Sequence, residues 1–206
     1  MSVHESPPGS APAAPLLVAV TGASGAPYAV RFLEILEAAE VEVHLVVSEA
    51  GARVLEIETG RRPEDLARLA AAVHSAGDLA APPASGSTPW RGMVILPCTM
   101  GTLAAVANGL SRNLVHRAAD CMLKERRPLV LVPREAPLNR VHLRNMLAAA
   151  EAGAVIWPAM PAFYLRPADL DDLVDQFARR LAAFLGIPVP GLRHWNGAEP
   201  DDADPR

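Results

Sequence analysis

Arg134 and Glu135 are the two residues whose position in the chain most directly indicates chemistry. They follow an all-apolar run, residues 129–132, and a charged segment that includes Lys124 precedes that run. Such a run is typical of a strand buried on both faces of a parallel sheet, and ligands bind beyond the carboxyl ends of such strands. The pair is therefore a candidate phosphate-binding cation beside a candidate proton-transferring carboxylate. Considered alone, an Arg-Glu pair is more often solvated than functional, so the residues at the other strand ends must decide between these two interpretations.

Glycine and hydroxyl residues follow three further apolar runs, each just before a helical pattern. The positions are Gly22, Ala23, Ser24, Ser48, Thr99, Met100, Gly101 and Thr102. Helix N-termini present unpaired N–H groups that bind anions, and glycine lets a ligand approach the backbone. The first turn is neither G-x-G-x-x-G nor a P-loop, and a tight turn or an N-cap explains each site alone. Three such turns on one sheet edge predict a cradle for a phosphate and a planar ring.

Alternating strand and helix patterns place these turns. The predicted strands are residues 16–20, 41–47, 93–96, 129–132 and 154–157. The predicted helices are residues 26–40, 49–58, 61–74, 103–108, 113–124, 140–152 and 168–185. This alternation predicts one α/β domain, a doubly wound parallel sheet with helices on both faces. All five strand-end loops then lie on one edge of that sheet.

Length, charge and composition narrow the class of protein. A chain of 206 residues with 50% hydrophobic content suits one domain with a sizeable core. The net charge of −4 argues against nucleic acid or an anionic membrane as a partner. No stretch approaches the roughly 20 apolar residues of a membrane-spanning helix. We expect residues 1–15 to be a disordered extension, 16–197 the folded domain and 198–206 a mobile tail.

The cysteines and histidines match no metal or disulfide pattern. Cys98 and Cys121 have neither zinc nor disulfide spacing, so the predicted location is the reducing cytoplasm. Cys98, between Pro97 and Thr99, is interpreted as a small buried residue rather than as a nucleophile. The six histidines have no metal-ligand spacing, and we expect no metal.

A second group of residues suits the binding of a phosphate monoester. Arg117 and Lys124 are seven residues apart on one predicted helix and share a face. That face is either solvated, which is the usual outcome, or meets the site of a neighbouring subunit. Tyr164 lies in the last strand-end loop, and Arg180 lies on the final helix. A tyrosine hydroxyl together with arginine or lysine can hold a phosphate group.

Several motifs together resemble the UbiX family of flavin prenyltransferases. They are Gly22-Ala23-Ser24-Gly25 and residues 84–87, 97–102, 124–137 and 161–164, of which 124–137 is the most specific. The resemblance covers about residues 16–195 and implies a Rossmann-like (flavodoxin-like) flavoprotein domain, assembled as a homododecamer. It implies an enzyme that transfers a dimethylallyl group from dimethylallyl phosphate to N5 and C6 of reduced FMN, without a metal. The product, prenylated FMN, passes to a UbiD-type decarboxylase, and the family has long been linked to ubiquinone biosynthesis.

The resemblance also implies roles for individual residues. FMN contacts are implied at Gly22, Ala23, Ser24, Ser48, Thr99, Met100, Gly101, Thr102 and Arg134. Donor contacts are implied at Arg117, Lys124, Tyr164, Arg180 and Trp195, with Arg117 reaching in from a neighbouring subunit and Trp195 closing the site. Proton handling is implied for Glu58 and Glu135, with Ser24 in the same relay. Thr99 stands where many relatives carry serine, which keeps the hydroxyl.

Two other functions fit the same fold. A flavin-dependent decarboxylase of the peptidyl-cysteine or phosphopantothenoylcysteine type oxidises a thiol-bearing substrate. It should not need the cluster of Lys124, Arg134, Tyr164 and Arg180, which is present here in full. A non-catalytic FMN carrier would use the glycine and hydroxyl turns but would gain nothing from a second phosphate site. The presence of both groups of residues favours the prenyltransferase. The sequence leaves open whether the donor is a monophosphate or a diphosphate.

Overall fold

One parallel sheet organises the chain, which the computed structural model describes from residue 14 to residue 195. The strands are β1 (Leu16–Val20), β2 (Val43–Val47), β3 (Ala72–Ser75), β4 (Gly92–Cys98), β5 (Leu129–Pro133) and β6 (Val155–Ile156). The helices are α1 (Ala26–Ala38), α2 (Glu49–Thr59), α3 (Pro63–Ala67), α4 (Met100–Ala107), α5 (Leu114–Lys124), α6 (Arg140–Glu151) and α7 (Leu170–Phe184). The predicted terminal extension and tail lie outside the described residues, except for Ala14 and Pro15.

The strand order is β3-β2-β1-β4-β5-β6, and neighbouring strands are parallel throughout. This is the order of Rossmann-type sheets, in which the winding reverses between the first and fourth strands. A crevice for ligands opens at that reversal, beyond the carboxyl ends of β1 and β4. The predicted fold class, a doubly wound parallel sheet in a single α/β domain, is confirmed.

The apolar strands supply two cores, one on each face of the sheet. All five residues of β1 are buried, and they alternate between the two cores. Leu16 and Val18 pack in the core that contains α1 and α7, whereas Leu17 and Ala19 pack in the core that contains α4 and α5. This double burial explains why the central strands are continuous apolar runs rather than alternating ones.

The prediction of a helix over residues 61–74 is wrong. The helix in this region is the short α3, and the chain then forms the edge strand β3, which pairs with β2 alone within the described residues. Pairing begins where the Ala71 N–H donates to Val43 O at 2.8 Å. The alanine-rich sequence favours helix, so this strand depends on pairing with β2 rather than on propensity.

The other boundaries agree with the sequence to within a few residues. The largest difference is at α4, which begins at Met100 rather than at residue 103. The predicted loop at residues 79–89 contains one 3-10 turn, Pro82–Ala84, and a second 3-10 turn spans Phe163–Leu165. None of the helices between residues 14 and 195 combines the length and apolar content needed to cross a membrane.

Candidate active site

The turn between β1 and α1 already holds a carboxylate. Glu58 Oε2 accepts hydrogen bonds from the Gly25 N–H at 2.9 Å and the Ala26 N–H at 2.8 Å. Pro27 has no N–H, and the Tyr28 N–H donates to Gly25 O at 3.1 Å. The N-terminus of α1 is therefore satisfied by Glu58, and the expectation that it offers free N–H groups to an external anion is wrong.

Glu58 is held in its ionised form. Burial raises the pKa of Glu58, but hydrogen bonds from Ser24, Gly25 and Ala26 and the charge of Arg134 outweigh burial, so the pKa lies below its ordinary value. The sequence separates Glu58 from Ser24 by a strand and most of two helices, so no local pattern indicated this contact. An ionised Glu58 accepts from the Gly25 and Ala26 N–H groups and so stabilises the turn between β1 and α1.

The backbone of the same turn remains open to a ligand. The N–H groups of Gly22, Ala23 and Ser24 have no hydrogen-bond partner within residues 14–195. Gly22 is required here because a Cβ would lie 2.5 Å from Ala50 Cβ at the start of α2. The turn is thus pressed against α2 on one side, and its three N–H groups are without a protein partner within residues 14–195, which suits contact with a ligand.

Thr21, which was not among the predicted site residues, joins the two turns at the reversal point. Its hydroxyl donates to Pro97 O at 2.7 Å and accepts from the Thr99 N–H at 2.9 Å. Thr21 is 3% exposed, so both bonds are shielded from water. The sequence feature that could have identified Thr21 is a single hydroxyl residue directly after an apolar strand.

The N-terminus of α4 is the best anion site on this edge. Thr99 Oγ1 caps it by accepting from the Thr102 N–H at 3.0 Å and donates to Thr102 Oγ1 at 2.9 Å. The N–H groups of Met100 and Gly101, in the first turn, have no intrahelical partner by helix geometry. A Cβ on Gly101 would have one neighbour within 4 Å, Thr99 Oγ1 at 3.9 Å, so the approach is open.

Ser48 caps α2 in the same way but in a less favourable field. Its Oγ accepts from the Gly51 N–H at 3.0 Å, as the sequence predicted. Glu49 stands in the first turn of α2, whereas α4 has no acidic residue in its first turn. A negative charge there opposes a second anion, so we expect Ser48 to bind an uncharged hydroxyl or ring edge.

Arg134 links the end of β5 to the turn after β1, and Glu135 beside it is free. The Arg134 Nε–H donates to Ser24 O at 3.2 Å, so the guanidinium lies over that turn. Glu135 is exposed and accepts from its own neighbour, the Ala136 N–H, at 3.1 Å. We call Gly22–Ser24, Ser48, Thr99–Thr102 and Arg134 the strand-end edge.

A second region lies after β6, between the last strand-end loop, α7 and the residues that follow α7. A cavity of about 590 Å³ is lined there by Trp157, Tyr164, Arg180, Phe184 and Trp195, with Arg193 and His194 at its side; we call it the aromatic cavity. Tyr164 and Trp195 meet edge to face at 5.5 Å between ring centroids. The Arg180 guanidinium lies 5.4 Å from the Trp157 ring centroid. Three residues predicted to bind the donor are thus brought together.

Arg117 and Lys124 are not brought to the aromatic cavity within one chain. The Arg117 Nε–H donates to Ala84 O at 3.1 Å, and its Nη1 pairs with Asp120. Lys124 pairs with Glu125 at the end of α5, the point from which the chain enters β5. Both cations therefore lie with the loop at residues 84–88, on the side where β5 begins rather than where it ends.

Cys98 and the potential metal ligands were also considered in the sequence. Cys98 is fully buried, and burial raises the pKa of its thiol far above the ordinary range, so the interpretation as a buried residue is confirmed. No group of three His, Cys, Asp or Glu side chains is placed to hold a metal ion between residues 14 and 195.

Comparison with known proteins gives consistent relatives. A family model described as Flavoprotein matches residues 4–181. The flavin prenyltransferase UbiX of Deinococcus radiodurans is 49% identical over 191 residues, which cover 92% of this chain and 98% of that protein. A crystal structure of AnUbiX (PadA1) in complex with FMN and dimethylallyl pyrophosphate has a TM-score of 0.88 at 44% identity, covering 90% of this chain and 99% of that one. A dodecameric FMN-dependent UbiX-like decarboxylase from Escherichia coli O157:H7 has a TM-score of 0.86 at 45% identity, covering 88% and 99%.

Proposed function

Because this chain belongs to the flavoprotein family, and within it to the UbiX flavin prenyltransferases, we propose that it prenylates reduced FMN. The enzyme transfers a dimethylallyl group from dimethylallyl phosphate to N5 and C6 of the flavin. The observation that carries the proposal is the presence of two anion-binding groups beyond the carboxyl ends of the strands. The strand-end edge suits FMN, and the aromatic cavity suits a second, smaller phosphate.

The strand-end edge fits FMN by its donor set. The unpaired N–H groups of Met100 and Gly101, with the Thr99 and Thr102 hydroxyls beside them, suit the FMN phosphate. The free amides of Gly22–Ser24 suit the polar edge of the ring, and Arg134 adds a positive charge beside them. When bound and reduced, FMN supplies the electron-rich ring atoms that accept the dimethylallyl group.

The aromatic cavity fits the donor by combining cations with apolar walls. Tyr164 and Arg180 bind the phosphate, and Arg180 stabilises the negative charge that develops as the allylic C–O bond breaks. Trp157, Phe184 and Trp195 exclude water, which would otherwise capture the allylic cation. Tyr164 is 48% exposed and Trp195 62% exposed in the single chain, so closure needs further cover.

Proton handling is divided between two carboxylates in this proposal. Glu58 is held ionised by the turn that begins at Ser24, so it acts as a hydrogen-bond acceptor there. Glu135 is exposed and forms no ion pair within residues 14–195; it accepts a hydrogen bond from the Ala136 N–H. We assign removal of the C6 proton to Glu135 or to the departing phosphate.

The proposal includes a homododecamer in which a second copy completes the donor site. Exposed apolar residues support association: Val141, Leu143 and Leu147 on α6 are each more than half exposed. We propose that Arg117 and Lys124 of one copy contact the aromatic cavity of another; within their own chain both side chains pair elsewhere. We further propose a cytoplasmic enzyme that delivers prenylated FMN to a UbiD-type decarboxylase, without nucleic acid, membrane or metal as a partner. Both cysteines are free, which suits a reducing compartment.

One anaerobic incubation tests the proposal. The protein is mixed with reduced FMN and dimethylallyl monophosphate or, in a parallel arm, the diphosphate, and the extracted flavin is analysed by mass spectrometry. We expect a flavin heavier by one dimethylallyl group, together with released phosphate or diphosphate. Unmodified flavin in both arms would contradict the prenyltransferase. Oxidative decarboxylation of a cysteine-terminated peptide under aerobic conditions would instead support the cysteine-type decarboxylase.

A further inference from the structure

The residues that follow α7 are held against that helix by three side chains on one of its faces. We call residues 190–195 the strap. Asp172, Gln176 and Arg179 are spaced four and three residues apart on α7, which places them on a single face. Each of them bonds to the strap, and Trp195 is carried at its end. The strap therefore has a defined seat rather than a loose contact.

Gln176 is the centre of this seat. It is 7% exposed, and its amide group is used at both ends by the strap backbone. Its Nε2–H donates to Gly191 O at 3.1 Å, and its Oε1 accepts from the Arg193 N–H at 2.9 Å. A buried side-chain amide with a donor and an acceptor matched to one backbone segment fixes the position of that segment along the helix.

Two arginine contacts on either side of Gln176 strengthen the seat. Arg193 on the strap donates from Nη2 to both carboxylate oxygens of Asp172, at 2.8 Å and 2.7 Å. Asp172 also accepts from the Ala168 N–H at 2.9 Å, so the segment leading into α7 is tied to the same carboxylate. On the other side, Arg179 donates to Pro190 O, where the strap begins.

The strap ends in the aromatic cavity. Trp195, two residues beyond Arg193, packs edge to face on Tyr164, and Arg180 follows Arg179 on the same helix. The strand-end edge has no hydrogen bond or ion pair with the strap within the described residues. Loss of the seat should therefore displace Trp195 and leave the flavin-binding turns in place.

We infer that Gln176 is a positioning residue for the prenyl donor, which acts by seating the strap and so placing Trp195 over Tyr164. The inference deepens the proposed function and depends on it for its kinetic consequences. A misplaced Trp195 admits water to the cavity. Some donor then loses phosphate without transfer: the allylic C–O bond breaks, water adds to the cation, and a proton is released, giving dimethylallyl alcohol and phosphate.

The test compares Gln176→Met with wild type and with Asp171→Asn, an exposed change in the first turn of α7. Methionine keeps the volume and removes both hydrogen bonds to the strap, together with the longer one from Gln176 Nε2 to Asp175 Oδ2 at 3.3 Å. We expect faster hydrogen exchange at residues 190–195, a KM for dimethylallyl monophosphate raised about tenfold, and more alcohol formed per prenylated flavin. The FMN affinity of Gln176→Met should equal that of wild type, and Asp171→Asn should equal wild type in all of these measurements.

Arg193→Ala keeps the inference testable if Gln176→Met does not fold, because Arg193 is on the surface and its loss breaks the ion pair with Asp172. Since Arg193 also lines the aromatic cavity, hydrogen exchange at residues 190–195 without substrate is the readout that reports the seat in this variant. Arg193→Ala should shift exchange, KM and alcohol formation in the same direction, and Arg193→Lys should restore them in part. Faster exchange of the strap with unchanged KM and unchanged alcohol formation would overturn the inference. Hydrogen exchange is measured without substrate, so it reports the seating of the strap even if the enzyme is inactive. A wild-type protein with no prenyl transfer would therefore refute the proposed function without deciding whether Gln176 seats the strap.

Discussion

The strand-end edge and the aromatic cavity differ in how much of each a single chain supplies. At the strand-end edge, buried Thr21 ties two turns together, two helices are capped by hydroxyls, and Glu58 satisfies a third helix. The aromatic cavity has exposed rings, and its expected partner cations, Arg117 and Lys124, lie elsewhere on the chain. One region is finished by the fold itself, and the other is left for another copy to complete.

This difference has a physical basis in the sheet. The turns of the strand-end edge leave β1, β2 and β4, which are central strands held by neighbours on both sides. The loop at residues 158–165 leaves β6, a two-residue strand at the edge of the sheet. An edge strand gives its loop fewer fixed neighbours, so the cavity depends on the strap, on α7 and, in our proposal, on the assembly. A flavin can thus be bound before the donor site is closed.

Removal of Arg180 should have the largest effect and should affect one region alone. In Arg180→Ala the aromatic cavity loses the cation that stabilises the departing phosphate, and we expect prenyl transfer to fall about 100-fold to 1000-fold. FMN affinity should stay within about twofold, because the strand-end edge is untouched. Single-turnover formation of prenylated flavin and FMN titration measure the two quantities. Equal losses of transfer and FMN binding would contradict the separation of the two regions.

Lys124→Ala should give a smaller loss, about 10-fold to 100-fold in transfer, because one charge-assisted bond to the donor is removed. In the proposed assembly each donor site takes Arg180 from one copy and Lys124 from another. Co-expressed Lys124→Ala and Arg180→Ala chains should therefore form mixed assemblies in which roughly a quarter of the sites carry both side chains. Mixed assemblies no more active than either parent would show that Lys124 does not act across the interface.

The sequence indicated which residues lie at the two regions better than it indicated the contacts that hold them in place. Ser48 could be identified as a cap because a hydroxyl between an apolar strand and a helix has few other roles. The cap at Thr99 was not identified, because the helix after it was predicted to begin at residue 103 rather than at Met100. Two contacts could not be predicted. Glu58 contacts the turn at Gly25, which is far from it in the sequence, and Gln176, which binds the strap, occupies a position that the sequence pattern marks only as part of a helix. The strand at residues 72–75 escaped prediction for a similar reason, since pairing with β2 overrides its helical composition.

Glu58→Gln should give the smallest of these effects, a change in the free energy of unfolding. The pH dependence of that change tests whether the strand-end edge supplies its own anion. Glutamine keeps an oxygen for the N–H groups of Gly25 and Ala26 but loses the charge at the N-terminus of α1. We expect a loss of about 1 kcal/mol in the free energy of unfolding at pH 7. Glu56→Gln on the same helix is the control, because its partner Arg62 is 3.8 Å away in a surface pair of little value.

The sign of the pH effect follows from the lowered pKa of Glu58 in the folded chain. A carboxylate with a lowered folded pKa stabilises the fold fully above its unfolded pKa and loses that contribution as the pH falls through the folded value. The difference between wild type and Glu58→Gln should thus be constant from pH 7 to about pH 5 and shrink below about pH 4. Urea unfolding of the FMN-free protein at several pH values measures it. A difference that persists undiminished at low pH would mean that Glu58 stabilises the turn by shape rather than by charge, and would contradict the charge-based account of this contact.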